Sequence, residues 1–301
     1  MTYAYQNSYT GTFNPAIWDS KLLEQFDPLL VWASRWVSNN KYEGTVRKQG
    51  DVVHINSLTR PTVGNYTIAE GMTSQRPETV DQKLSITEAK YLQVLVENAE
   101  RVQLAGGLDS PINRQMIRAL ARETDTFMGD VIAKGATAAP TVKATPENAP
   151  RALFSAILDM MLALDDNDIP AGRYVVVSPR VKRYLVEYPA VANASEYGVG
   201  GVTMNGAFAQ LAGFTVLSTT AMPRGVDIVA GHNEFATYAS QFTGFREGQS
   251  EKYRADYMDN LHLYGGKIVR YPELDTKKAD NTFDESKPTK GILKAAVEWA
   301  A

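Results

Sequence analysis

The chain has no cysteine and only three histidines in 301 residues. Without a thiol there is no disulfide framework and no thiolate metal site, so a structural zinc would have to rely on imidazole and carboxylate. His54, His232 and His262 lie far apart and form no ligand-spaced pair. No apolar run approaches the roughly 20 residues of a membrane-spanning helix. The opening MTYAYQNSYTGTF lacks both the basic and the apolar region of a signal peptide. Without a secretory route, the Asn-x-Thr/Ser sequons at Asn65 and Asn193 carry no meaning. Charge of one sign is also missing: 31 Lys and Arg face 34 Asp and Glu, for a net charge of −3. With no basic tail or cluster, tight electrostatic binding of nucleic acid is not indicated. What remains is a soluble, cytosolic composition, 44% hydrophobic and 22% charged, long enough for one or two domains with a real core.

Signals for catalysis are equally scarce. Asp165, Asp166 and Asp168 cluster after a helix, but a calcium hand counted from Asp166 needs Gly and Glu where Ala171 and Val177 stand. They read as a solvated helix terminus. Gly198-Val199-Gly200-Gly201 has no Lys-Ser/Thr after it and no buried strand before it, so it reads as a loop and not a phosphate cradle. There is no G-x-S-x-G elbow. His54 and His262 each sit between apolar neighbours in an alternating run, as outward strand positions without a function. No cofactor, no metal and no enzymatic activity are expected.

The chain opens with aromatics. Asn14 is placed to cap a helix that begins at Pro15, with Trp18 and Leu22 on one face. Asp27-Pro28 interrupts it, and Leu29, Trp32 and Trp36 recur at helical spacing. Core packing is the default reading of these tryptophans. Residues 41–98 then form an extended arm with almost no core of its own. Strands flank a Gly50-Asp51 turn, a polar run covers 59–82, and apolar alternation returns over 83–96. A two-stranded ribbon is marginal alone in water, so the arm needs a partner, and a second copy of the chain fits best. A long helix over 108–135 follows, capped by Ser110, opened by Pro111 and closed by Gly135. Its stripe is Ile112, Met116, Leu120, Phe127 and Val131, and its length is about 36 Å. Residues 136–150 read as a linker. A helix from Pro150 presents Leu153, Phe154, Ile157, Leu158, Met161 and Leu162. Strands are expected over 174–177, 215–218 and 226–230, and Ser178-Pro179 starts a short helix to Glu187. Residues 251–271 read as a hairpin turning at Gly265-Gly266, 275–290 as a charged loop, and 292–301 as a short amphipathic terminus. The class is α+β.

This order of parts resembles the major capsid (coat) protein of tailed bacteriophages, the Hong Kong 97-type fold. Phe13-Asn14-Pro15-Ala16-Ile17-Trp18 with Leu22-Leu23 is similar to the opening of many such proteins. Tyr42-Glu43-Gly44 leading to Gly50-Asp51-Val52-Val53-His54-Ile55 is similar to the start of their extended loop. Tyr264-Gly265-Gly266-Lys267-Ile268-Val269 before Pro272 is similar to their closing strand. The resemblance implies an N-terminal arm over 1–40 and an extended loop over 41–98 lying across an adjacent subunit. It implies a peripheral domain from 99–150 and 255–274 with a spine helix about 110–134, an axial domain over 151–254, and a C-terminal arm over 275–301. Trp18, Trp32, Trp36, Tyr42, Arg47, Arg60, Tyr66 and Arg76 are then candidate inter-subunit contacts. Pentamers and hexamers would close an icosahedral shell around double-stranded DNA bound without sequence specificity. A separate scaffolding protein, a portal and a decoration protein are the implied partners, with no membrane. The place would be the virion, assembled in the host bacterial cytoplasm. The extended loop starts too early to leave room for a cleaved N-terminal scaffolding region, so either this is the mature form or a separate scaffolding protein directs assembly, and Met1 favours the second. An encapsulin-type nanocompartment shell and a soluble α/β enzyme of unknown chemistry stay open as alternatives.

Overall fold

The computed structural model describes residues 29–41, 52–59, 61, 63–66, 72, 74–76, 79–97, 111–188, 207–249, 255–272, 274–275, 278 and 282–300. The helix expected from Asn14, the Gly50-Asp51 turn, the Ser110 cap and the 198–201 loop lie outside the described residues, as do the side chains of Ile112 and Arg114. Strands β1 (Val52–Leu58) and β2 (Thr79–Ser85) alternate exposed and buried along their whole length, the period of a half-buried strand. They pair antiparallel from Val52 opposite Ser85 to Leu58 opposite Thr79. Val53, Ile55, Leu84 and Ile86 pack with Ala239, Leu263 and Val269. The arm therefore has a core at its base, and the polar run cedes its last four residues to β2. Alternation hid this, because half of each strand is polar where the pleat turns it to solvent.

Strand β3 (Glu88–Glu97) does not continue the ribbon. It joins β10 (Ala236–Gln249) and β11 (Ala255–Ile268) in a three-stranded antiparallel sheet ordered β10-β11-β3. The hairpin therefore turns between β10 and β11, and Gly265-Gly266 lies inside β11. A Cβ on Gly265 would stand 2.5 Å from the Ser85 carbonyl oxygen, and one on Gly266 would collide with Met128 Sδ. The two glycines let the ribbon and the spine helix close onto one strand. That helix, α1 (Pro111–Gly135), buries Met116, Ile117, Leu120, Met128 and Ile132 and exposes Arg118, Arg122, Glu123 and Asp130. Phe127 meets Tyr264 of β11 edge to face, at 5.2 Å between centroids.

The expected linker is structured. Strands β4 (Ala136–Ala138) and β5 (Val142–Ala144) run parallel to β12 (Thr289–Ala295) and β13 (Val297–Trp299). The chain's last residues thus form no free arm: β12 sits between β4 and β9 in a six-stranded sheet ordered β4-β12-β9-β6-β8-β7. Three-residue strands rich in Ala and Thr carry no periodicity, and their partners lie some 150 positions away. The remaining strands, β6 (Arg173–Val177), β7 (Ala207–Leu211), β8 (Phe214–Ser218) and β9 (Ile228–His232), include the three expected ones. Helix α2 (Ala149–Asp165) buries Leu153, Ile157, Met160 and Leu164. Its stripe is rotated from the expected one, leaving Leu162 exposed. Helix α3 (Pro179–Glu187) starts as expected, with Ser178 Oγ accepting from the Val181 N–H. Asp165 pairs with Arg173 at 2.5 Å beyond the end of α2. One apolar cluster runs from Trp32, Met128 and Ile132 through Val175, Val229 and Ile292, so the end of the spine helix shares a core with the six-stranded sheet.

Candidate functional site

Two regions position the candidate contacts: the anchored end of the N-terminal arm and the free end of the ribbon. The anchor is Asp125, on the buried side of α1. One of its oxygens accepts the backbone N–H groups of Val31 (3.0 Å), Trp32 (2.6 Å) and Ala33 (3.3 Å). Burial pushes this carboxyl up to about 6, and those three donors and the Thr219 hydroxyl work against the rise. Trp32 is 0% exposed, packs against Gly129 and donates its indole N–H to the Ala221 carbonyl at 2.8 Å. Asn39 then bonds the backbone of Ala236 and Tyr238 in β10. Trp32 therefore offers no surface to a second subunit. It belongs to the core of its own, while Trp36, 42% exposed, stays open.

The ribbon is clamped at its base. Gln82 donates to Ser57 Oγ (3.2 Å) and to the Arg270 carbonyl (2.7 Å), and its amide oxygen accepts the Arg270 N–H (2.9 Å). Beyond the clamp, the described residues give β1 and β2 no third strand. Val63 is 96%, Met72 87% and Tyr66 63% exposed, and Leu58 is exposed as well. Arg76 is also exposed. Except for Leu58, these groups lie in the connection between β1 and β2 and belong to none of the buried clusters. Trp18, Tyr42, Arg47 and Arg60 lie outside the described residues. So the structure separates the candidates: Trp36, Tyr66 and Arg76 face outward, and Trp32 faces in.

His262 is corrected as well. It is fully buried, not outward, with Nδ1 3.3 Å from Thr124 Oγ1 and Nε2 3.5 Å from Tyr238 Oη. Burial depresses it to about 3, so it is neutral at ordinary pH. His54 stays on the outer face, 2.7 Å from Asp81. Neither Asp125 nor Gln82 was singled out by the sequence. For Asp125 a signal existed, since it falls between Ala121 and Met128 on the helix's buried side. Among the described residues no group of His, Asp or Glu is placed to hold a metal ion. No helix among them is long and apolar enough to cross a membrane. Of the titratable groups with the largest shifts, Asp125 ties the arm to the spine helix, while the buried Tyr174 and Tyr264 hydroxyls, both pushed up by burial, have no hydrogen-bond partner among the described residues.

The arrangement is thus an arm anchored on the spine helix and a ribbon clamped at its base. The family model for phage capsid proteins matches residues 86–271, more than half of the chain, and the chain belongs to that family. Its role is structural, that of a major capsid protein. No curated protein matches it. Among solved structures, one from Mycobacterium phage Che8 is 26% identical with a TM-score of 0.62, over 88% of this chain and 90% of that one. The capsid of cyanophage P-SCSP1u is 12% identical with a TM-score of 0.61, over 84% and 85%. A virus-like particle from Pyrococcus furiosus is 12% identical with a TM-score of 0.55, over 93% and 98%. At 12% identity the last two share the fold alone, a mixed α+β capsid fold.

Proposed function

We propose that the chain assembles into pentamers and hexamers that close an icosahedral shell around double-stranded DNA. The extended loop, 41–98, reaches an adjacent subunit with its far end, 59–78, while its base and β3 stay on their own subunit. The peripheral domain takes 99–150 and 255–274, and the axial domain takes 151–254 together with the terminal strands β12 and β13. The observation that carries this reading is the ribbon's free end, where Val63, Tyr66 and Met72 stand in solvent with no core of their own. Strand addition supplies main-chain hydrogen bonds without demanding one side-chain partner, which suits a chain in several similar but unequal places. The net charge of −3 supports a wall that encloses DNA without gripping its sequence. A separate scaffolding protein directs assembly in the host bacterial cytoplasm, and a portal is the partner in the virion. No enzymatic step belongs to this role. Sedimentation velocity of the concentrated protein, with negative-stain imaging of the fastest fraction, should give capsomers or closed shells. A strictly monomeric species, also in the presence of the scaffolding protein, would overturn the reading.

A further inference from the structure

A cleft of 310 Å³ opens where the ribbon, the spine helix and β11 meet, and Lys83, Lys134, Lys267, Arg270 and Glu285 line it. Four basic residues and one acidic residue line it, a local +3 in a chain of net −3, which leaves −6 on the rest. The site is built into the fold. Arg270 is 4% exposed, and its main chain is held by the Gln82 amide on both sides. Its guanidinium donates to the main-chain oxygen of Glu285 at 3.2 Å, and among the described residues it is in no ion pair. Asp275 feels its charge, but its oxygens accept from the Thr289 hydroxyl and from the Tyr271 and Lys290 N–H groups. Lys267 donates both to the Lys83 carbonyl at 2.9 Å and to the Glu285 carboxylate at 2.5 Å. A buried guanidinium whose hydrogen bond goes to a neutral carbonyl is costly, and clustered cations repel one another. A second carboxylate relieves both.

We propose that this cleft receives an acidic side chain from a second copy of the chain, in competition with Glu285. The inference rests on the shell reading. Three observations favour a protein carboxylate over the phosphates of DNA. The cleft's volume suits a side-chain head and not a duplex. Glu285, with its side chain 70% exposed, already sits there as a carboxylate and is free to give way. Lys83 belongs to the same ribbon whose free end calls for a second copy, so the cleft continues that surface.

Lys83 and Lys134 are both exposed, so K83Q/K134Q should fold normally, and an unchanged thermal midpoint would verify this. Neutralising both should raise the concentration threshold for shell assembly about tenfold. Glu285→Gln should lower it, by removing the resident competitor. Inorganic sulfate replacing chloride at constant ionic strength should raise the wild-type threshold and leave that of K83Q/K134Q unmoved. Equal thresholds for all three proteins, with equal sulfate dependence, would overturn the proposal. So would normal empty-shell assembly of K83Q/K134Q with loss of retained DNA, because the cleft would then serve phosphates. A wild type that never assembles strikes the shell reading beneath the proposal, and is told apart by the absence of any threshold.

Discussion

Replacing residues 59–78 with an Asn-Gly turn is expected to leave a folded subunit that no longer forms shells. Leu58 and Thr79 are the last pair of the ribbon, so a two-residue type I′ turn closes the shortened hairpin without changing its register. The truncation removes Val63, Tyr66 and Met72, which touch no core, and keeps Val53, Ile55, Leu84 and Ile86 in theirs. The thermal midpoint should therefore stay within about 4 °C of the parent, while the fast-sedimenting species disappears. A wider deletion, 44–83, is a poorer test. It strips Val53 and Ile55 from the base cluster and Gln82 from its clamp on Arg270, so loss of assembly would be confounded with loss of fold. Shells formed by the truncated chain at the parent's yield would mean that the free end of the ribbon does no joining.

The second expected result concerns acid. Asp125 carries a folded pKa of about 6, against an ordinary 3.8 for a solvated aspartate. Its folded state binds more protons in that window, so its contribution to stability falls as pH rises from about 4 to 6. The full difference is on the order of 3 kcal/mol. His262 acts in the opposite sense. Its folded pKa of about 3 lies below 6.5, so the stability it contributes is present above 6.5 and is lost as pH falls from there towards 3, by about 5 kcal/mol at most. Between pH 4 and 6 the two slopes oppose one another. Asp125→Asn keeps an acceptor for the three N–H groups of the arm and removes the charge. It should leave His262 unopposed, so stability measured by urea unfolding climbs more steeply from pH 4 to 6 than in the parent. Asp125→Ala leaves the Val31, Trp32 and Ala33 donors without that partner, and should cost about 2–4 kcal/mol at pH 7. Parallel pH profiles for the parent and Asp125→Asn would show that the carboxyl does not titrate as a buried acid.

How much of this was legible in the chain follows from distance along it. The spine helix was plain because its caps and its stripe are local: Pro111 and Gly135 bound it, and Met116 and Leu120 recur on one face. Ser178-Pro179 marked α3 for the same reason. The ribbon was visible as alternation, but its base core was not, since Ala239, Leu263 and Val269 come from strands some 150 to 200 residues later. Strands β4, β5 and β13, three residues each, are too short for a period and form by pairing with partners some 150 residues away. Gly265-Gly266 misled for a physical reason. Glycine serves a turn and a close crossing equally well, and only the Ser85 and Met128 atoms beside the pair tell the two apart. Of the candidate contacts, the aromatic character of Trp32 and Trp36 was equally visible, yet one fills the core and the other stands open. The helix that their spacing suggested is absent: residues 31–38 form turns and bends, so the spacing did not say which tryptophan meets the spine helix.

The central claim is that the ribbon's free end lies on a second copy of the chain. Because the chain has no cysteine, Val63→Cys creates a unique attachment point at a position 96% exposed. The protein would be labelled there with a benzophenone maleimide, assembled, and irradiated, and the linked peptides identified by mass spectrometry against a mixture of isotopically light and heavy subunits. Mixed light–heavy links joining position 63 to another subunit are the predicted result. Links confined to single subunits, in particles that are demonstrably assembled, would contradict it.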